Sequence, residues 1–460
     1  MTVSKILIAN RGEIALRVMR AAREMGIPSV VVYSEADRAS LPVRLADDAV
    51  CIGPGPSSKS YLSVPNIISA ALITGCDAVH PGYGFLSEDR YFAEICREYN
   101  LTFIGPSVDA IARVANKADA RRFMEEAGLP VLPGTPQVTS LEEAEAAARR
   151  IGYPIILKAA AGGGGRGMHV ARDELDLQRG FHLARAEARA SFDSDEVYIE
   201  RYLDRCRHIE VQVLGDTFGN VIHLAERECS IQRRHQKLIE EAPGSTIDAD
   251  LRRRLGEAAV RGAKALGYTS AGTLEFLADD DGNFYFMEMN TRIQVEHGIT
   301  ELVTGVDIVK EQIQVASGHP LSVRQEDVVV RGHAIECRIN AEAGPDFRPA
   351  TGTVGELVLP GGPGVRVDTH LYQGYTLPPH YDSLLAKIMV YGRDRDEAID
   401  RMHRALEETV ITGVPTTIPY MRGVMVDEVF RAGNVHTDFV ESAGRTAVEE
   451  VVSAALAAST

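Results

Sequence analysis

Apolar positions at the start of the chain come in short blocks joined by stretches of helical period. Residues 5–9 form a brief apolar run and Asn10-Arg11-Gly12 reads as a turn. Ile14, Val18, Ala22 and Met25 then recur at helix spacing. Gly26, with Pro28 just beyond, ends that helix. Ser29–Tyr33 is a valine-rich run, the pattern of a strand covered on both faces in a parallel sheet. Residues 77–80 and 101–104 repeat it. The pattern predicts a βαβ domain over roughly the first 110 residues. Its first turn, Ala9-Asn10-Arg11-Gly12-Glu13-Ile14, lacks the GxGxxG spacing of a dinucleotide site, although Glu35 stands near where a ribose-binding acid would. The expectation is a Rossmann-like fold without a dinucleotide.

Beyond this, residues 118–127 read as a charged helix stopped by Gly128 and Pro130, and residues 130–136 read as a Pro/Gly linker. A helix over 141–151, strands at 155–158, 169–171 and 197–200, and a glycine-rich loop between the first two strands predict a small α+β lid over about 130–203. Strands follow at 210–214, 221–226, 272–277 and 284–290, with helices between. The fold class expected is therefore mixed α/β and α+β.

The chain has 460 residues, 25% of them charged, and a net charge of −16. This acidity argues against a nucleic-acid partner but not against ATP, which needs only local positive charge. Cys51, Cys76, Cys96, Cys206, Cys229 and Cys337 are scattered without a CxxC pair, which fits free thiols in a reducing compartment and a cytoplasmic location. No apolar stretch approaches the ~20 residues needed to cross a bilayer, so no membrane role is expected.

Three segments carry chemistry. Gly162 to Gly165, followed by Arg166-Gly167-Met168, lets backbone N–H groups approach a phosphate, with Lys158 at the end of the preceding strand. It is not a Walker A loop, and its glycines imply a mobile lid. In 284–290 side chains alternate, so Glu288 and Asn290 share one strand face; continued extension would add Arg292, Gln294 and Glu296. With Glu275 on a neighbouring strand, two carboxylates and an amide oxygen suit Mg²⁺. The basic run Arg233-Arg234-His235-Gln236-Lys237 suits phosphate or bicarbonate oxygens.

These segments occur in one order with Asn10-Arg11-Gly12-Glu13-Ile14-Ala15 and with His80-Pro81-Gly82-Tyr83-Gly84-Phe85-Leu86-Ser87-Glu88. Together they resemble the biotin carboxylase family of ATP-grasp enzymes, from about residue 3 to 445. The resemblance implies an ATP-grasp fold: an N-terminal Rossmann-like domain (1–113), linker helices and lid (114–203), a C-terminal ATP-grasp and biotin carboxylase domain (204–445) and a tail (446–460). It implies that Lys117 and Lys158 contact ATP phosphates, with Gly163, Gly164 and Gly165 in the lid loop. Met168, Glu200, Arg201, Tyr202 and Leu203 would lie around the adenine and hinge, and His208, Gln232 and His235 near ribose and phosphates. Glu275, Leu277 and Glu288 would complete the ATP site, with Glu275, Glu288 and Asn290 holding Mg²⁺ or Mn²⁺. Lys237, Arg292, Gln294, Val295 and Glu296 would hold bicarbonate, Glu296 being the base. Tyr83, Gly84 and Arg338 would meet biotin. Arg201 and Gly298 depart from the family's usual Lys and Pro.

The implied reaction is ATP- and bicarbonate-dependent carboxylation of biotin, the first half-reaction of an acetyl-CoA or acyl-CoA carboxylase that supplies malonyl-CoA for fatty acid synthesis. A pyruvate carboxylase subunit, another ATP-grasp ligase and a nucleotide-binding regulatory subunit are the alternatives. The chain has no Ala-Met-Lys-Met string, so biotin is expected on a separate carrier protein, with a separate carboxyltransferase subunit; the resemblance also implies a homodimer.

Overall fold

The computed structural model describes residues 2–159, 168–192, 196–344 and 346–442. The glycine-rich loop, including Gly163, Gly164 and Gly165, and the tail lie outside them.

A parallel sheet opens the chain: β1 (Ile6–Ile8), β2 (Ser29–Tyr33), β3 (Asp48–Cys51), β4 (Ala78–His80) and β5 (Thr102–Phe103), in spatial order 3-2-1-4-5. All its pairs are parallel, as the short apolar runs predict. The helix Gly12–Glu24 buries Ile14, Val18 and Ala22, the positions that set its period.

β6 (Ile155–Ala159), β7 (Met168–Ala171) and β8 (Val197–Arg201) form a small antiparallel sheet with β6 central. Leu157, Val197 and Ile199 pack there against Ala144 and Ala148 of the helix Leu141–Ile151.

The largest sheet is antiparallel throughout. It holds β9 (Arg207–Gly215), β10 (Val221–Arg233), β11 (Gln236–Ala242), β12 (Ser270–Ala278), β13 (Phe284–Asn290) and β14 (His333–Asn340). After short β15 (Glu342–Ala343), β16 (Arg348–Pro349) and β17 (Leu357–Val358), it resumes with β18 (Val365–Thr369) and β19 (Leu384–Gly392); β20 (Val410–Ile411) pairs with β17. The spatial order is 13-12-9-10-11-14-19-18.

Three sequence expectations change. The strand expected at 221–226 runs on to Arg233, because register shifts between His223 and Glu226 and again after Glu228 break its alternation. Residues 130–136 are not a free linker: Phe286 N–H donates to Pro130 O (2.7 Å), Arg201 N–H to Pro133 O (2.8 Å) and Thr135 N–H to Ile199 O (2.9 Å). They strap β13 to β8. Finally, β13 stops at Asn290, and Glu296 directly precedes the helix His297–Thr304, so the extended run does not continue through Arg292, Gln294 and Glu296. Gly298, the departure from the usual Pro, lies where any side chain would strike Met389 Sδ.

His80 and His370 are buried in this framework. Gly82 N–H donates to His80 Nδ1 (3.0 Å), which requires a lone pair there. Burial pulls both imidazoles down to about 3. Above the unfolded value of about 6.5 they are neutral in both states; below it the unfolded chain alone takes up protons, until the folded value is reached. Stability should therefore fall on acidification from about pH 6.5 toward about pH 3, by ~1 kcal/mol per pH unit for each ring. Urea midpoints across that range should show a shallower slope for His370→Gln than for the parent chain.

Candidate active site

The site lies on the polar face of β9, β12 and β13, where the sheet brings acids into register. Glu275 of β12 sits opposite Glu210 of β9 on one side and Glu288 of β13 on the other. Cross-strand neighbours on one face are close enough to share a cation.

Lys237 is that cation. Its Nζ donates to Glu210 Oε2 (2.5 Å), Glu275 Oε1 (2.9 Å) and Glu296 Oε1 (2.7 Å). Burial disfavours the ammonium, but Glu210, Glu275 and Glu296 outweigh it and hold Lys237 well above the ordinary lysine range. Glu210 also accepts from Arg227 Nε (2.5 Å), and Arg227 is wholly buried. Burial would raise Glu275 and Glu296. Lys237 and His208 reverse this at Glu275, and Lys237 with Arg338 and Arg227 at Glu296, so both carboxyls stay well below the usual range.

The segment after β13 folds back on this centre. Arg292 Nη2 donates to Asn290 Oδ1 (2.9 Å) and Nη1 to Gln294 Oε1 (2.9 Å), while Asn290 Nδ2 and Gln294 Nε2 donate to Glu275 Oε1 (2.9 and 3.1 Å). Arg338 Nε donates to Glu240 Oε1 (2.6 Å) and Nη2 to Glu296 Oε2 (2.9 Å). Arg292, Gln294, Glu296, Lys237 and Arg338 thus converge, although bends rather than a strand bring them together.

The candidates for the nucleotide divide between the β6–β8 sheet, which carries Lys158, Met168, Glu200 and Arg201, and the large sheet, which carries His208, Gln232, Leu277 and Glu288. Lys158 Nζ donates to Glu200 Oε2 (2.6 Å), and Arg121 Nε lies 3.4 Å from Glu200 Oε1. Lys117 pairs with Glu288. Burial pulls His235 below the ordinary imidazole value; Glu441 opposes this, and the nearby cations Lys158 and Lys117 add to it. Gln232 pairs in register with Lys237, and Leu277 with His208. Arg201 and Tyr202 tether the segment leading to Leu203: Arg201 Nη1 donates to Tyr153 O (2.9 Å) and Tyr202 N–H to Pro154 O (3.0 Å). Met168 begins β7, opposite Lys158.

The N-terminal domain closes the other side. Asn10 Nδ2 donates to both Pro81 O and Tyr83 O (2.7 Å each), which is how one motif holds the other. Tyr83 hydroxyl donates to Glu13, whose carboxyl lies 3.1 Å from Lys387 Nζ; Lys387 in turn donates to Val295 O (2.7 Å). Gly84 adopts φ +66°, the left-handed region that glycine tolerates. Glu88 accepts from Thr291 N–H (2.9 Å) and Arg292 Nε (2.8 Å).

A divalent cation fits part of this face. Glu275 and Glu288 offer hard oxygens from adjacent strands, as Mg²⁺ requires. Asn290 stands beside them, but its oxygen is engaged by Arg292. His208, Glu210 and Glu275, and likewise Glu210, Cys229 and Glu296, are near enough for a metal, but the Lys237 ammonium already lies among their carboxylates.

Three family models cover the chain: the biotin carboxylase N-terminal domain (2–111), the carbamoyl-phosphate synthase L chain ATP-binding domain (116–324) and the biotin carboxylase C-terminal domain (336–442). Biotin carboxylase 1 of Bacillus subtilis is 55% identical over 96% of this chain and 98% of its own length. The chain belongs to the biotin carboxylase family. It is accordingly an ATP-dependent carboxylase ligase with an ATP-grasp fold. Biotin carboxylase of Haemophilus influenzae is 52% identical over 95% of the chain and 98% of its own length. The structure of a biotin carboxylase–β,γ-ATP complex from Campylobacter jejuni matches with TM-score 0.94, at 49% identity over 95% of this chain and 98% of that one. So does the biotin carboxylase domain dimer of Hydrogenobacter thermophilus 2-oxoglutarate carboxylase, in complex with MgADP, ADP and bicarbonate (TM-score 0.94, 48% identity, covering 96% and 98%).

The motifs leave out Glu210, Arg227, Glu240 and Lys387 of this centre, and they contain Glu13 and Glu88 without giving either a role. One signal was available. His208, Glu210 and Gln212 alternate with Ile209, Val211 and Val213, which marks a polar strand face, yet all six are buried. Among the described residues no helix is long and apolar enough to cross a membrane.

Proposed function

We propose that this centre carboxylates biotin from ATP and bicarbonate, and that its residues divide the work as follows. Lys117 and Lys158 neutralise the ATP phosphates; His208, Gln232 and His235 line the ribose and phosphate side. Met168, Glu200, Arg201, Tyr202, Leu203 and Leu277 frame the base and hinge, and Gly163, Gly164 and Gly165 cover the phosphates. Glu275 and Glu288, with Asn290 beside them, hold Mg²⁺ or Mn²⁺, which when bound offsets phosphate charge. Lys237, Arg292, Gln294 and Val295 hold bicarbonate.

The observation that carries this reading is Glu296, an anionic carboxylate bonded to both Lys237 and Arg338. It is ready to accept a proton. When bicarbonate enters and shares Lys237 and Arg292, less cationic field is left for Glu296, and its basicity rises. Deprotonated bicarbonate then attacks the γ-phosphorus and ADP leaves. Carboxyphosphate breaks down to CO₂ and phosphate; the phosphate removes the ureido proton of biotin, and the resulting enolate attacks CO₂. Arg338, a cation that never loses its charge, favours that enolate near Tyr83 and Gly84. Excluding water protects carboxyphosphate from hydrolysis.

The domain division at 113, 203 and 445 belongs to this reading; the gap between the first two family models, at 111 and 116, supports the first boundary. The same reading includes a biotinylated carrier protein, a carboxyltransferase subunit, a homodimer and a cytoplasmic location. A dimer is supported by the Hydrogenobacter thermophilus relative, which is described as one. For the acceptor we favour acetyl-CoA or acyl-CoA, giving malonyl-CoA for fatty acid synthesis. A 49%-identical structure described as the biotin carboxylase subunit of pyruvate carboxylase supports pyruvate as the second reading.

ADP release with Mg-ATP and bicarbonate, with and without free biotin or a biotinylated carrier, tests the reaction. A rise with biotin that disappears without bicarbonate is expected; no response to either form of biotin would refute it. Arg338→Ala should lower biotin carboxylation about 100-fold or more, and bicarbonate-dependent ATP cleavage far less. An equal loss in both rates would contradict the role given to Arg338.

A further inference from the structure

Arg338 is held by two carboxylates of different origin. Glu296, at Nη2, belongs to the bend after β13, whereas Glu240, at Nε, lies on β11 and is fully buried. Glu240 pairs in register with Glu336 of β14, and Glu336 and Arg338 are two apart on one face of that strand. Glu240 therefore reaches the guanidinium diagonally across two paired strands. The guanidinium is planar, so an anchor on Nε fixes the directions of all its nitrogens.

In the reaction proposed above Glu296 gains a proton, and with it loses its ionic hold on Arg338. Glu240 takes no part in that exchange. We propose that Glu240 is a positioning residue for Arg338, keeping the guanidinium plane fixed while Glu296 is protonated and biotin reacts. The inference rests on the roles proposed for Glu296 and Arg338.

Glu336 supplies the internal comparison. It is buried on the same strand face, but neither of its oxygens has a hydrogen-bond partner among the described residues. Burial holds the Glu336 carboxyl well above the usual range, so Glu336→Gln alters the same part of the sheet without touching the anchor.

The experiment measures two rates, biotin carboxylation and bicarbonate-dependent ATP cleavage, in the full chain and in Glu240→Gln and Glu336→Gln. In Glu240→Gln the first rate should fall about 10- to 100-fold more than the second, with the loss in kcat rather than in the KM for biotin. Glu336→Gln should leave the ratio unchanged. Glu240→Asp, which keeps the charge but withdraws it by one methylene, should shift the ratio in the same direction by less. A parallel fall of both rates in Glu240→Gln, or an equal shift of the ratio in Glu336→Gln, would overturn the proposal while leaving the biotin reading intact. A parent chain that does not carboxylate biotin would remove both.

Discussion

Glu296→Gln is expected to abolish bicarbonate-dependent ATP cleavage while ATP binding survives. Glutamine keeps the shape of the side chain but offers one acceptor oxygen where Glu296 uses two, so it can accept from Lys237 or from Arg338 while its amide NH2 faces the other. What it cannot do is take a proton at neutral pH. Loss of a positioned base costs about 10²- to 10⁴-fold. Because Lys117, Lys158 and Glu200 do not touch Glu296, the affinity for ATP should change by less than about threefold, within the range of an uncoupled distant site. Single-turnover ADP formation with saturating bicarbonate, beside an equilibrium titration with ATP, separates the two. Near-normal turnover would remove Glu296 as the base. The sign of the pH effect is also fixed. The folded carboxyl of Glu296 lies below the ordinary value of about 4.5 for this group. It therefore contributes stability above its unfolded value, and that contribution is lost as pH falls through the folded one. Glu296→Gln should accordingly cost most stability near neutral pH and progressively less in acid.

The parts of this molecule that were legible in its sequence are those governed by local pattern. β1 and β2 announce themselves as apolar runs, the helix Gly12–Glu24 by its period, and Glu288 and Asn290 by strand alternation. The motifs supplied the rest of the candidate list by resemblance. Where local rules stop, so does legibility. Strand alternation reaches Arg292, Gln294 and Glu296 only if the extension continues, but the chain bends after Asn290 and is held by hydrogen bonds among Arg292, Asn290 and Gln294. The contacts of Glu13, Glu240 and Lys387 are set by which strands become neighbours. No periodicity encodes that Lys387 of β19 will lie between Glu13 and the Val295 carbonyl, or that β11 will pair with β14 and bring Glu240 to Arg338. β9 shows a further limit: polar and apolar residues alternate along it, the pattern of a strand with one solvated face, and yet both of its faces are covered.

Lys237→Met should destabilise the fold and abolish activity together, and the first effect should depend on pH in a particular direction. Around Lys237 the described side chains place Glu210, Glu275 and Glu296 on its ammonium, Arg227 on Glu210, and Arg338 between Glu296 and Glu240, all buried or nearly so. Methionine fills much of the same volume, so packing is largely kept. Three carboxylates nevertheless lose their shared cation: Glu210 retains Arg227, Glu275 retains His208, and Glu296 retains Arg338. Removing one partner from a buried ionic cluster typically costs about 3–5 kcal/mol. In the variant the carboxyl values of Glu275 and Glu296 must rise, since the Lys237 ammonium is the strongest attraction that opposes their burial. A raised carboxyl is protonated earlier as pH falls, and protonation relieves the repulsion that the variant exposes. The stability gap between parent and variant should therefore be widest above the raised carboxyl values of the folded variant and narrow as pH falls through them toward the lower values of the parent. Urea midpoints of both chains near pH 8 and near pH 4 measure that gap. A gap that stays constant would mean that packing rather than charge sets the loss. Activity has no such recovery, because bicarbonate brings a further anion into a centre already rich in carboxylates, and without Lys237 only Arg292 remains of the two cations proposed to receive it.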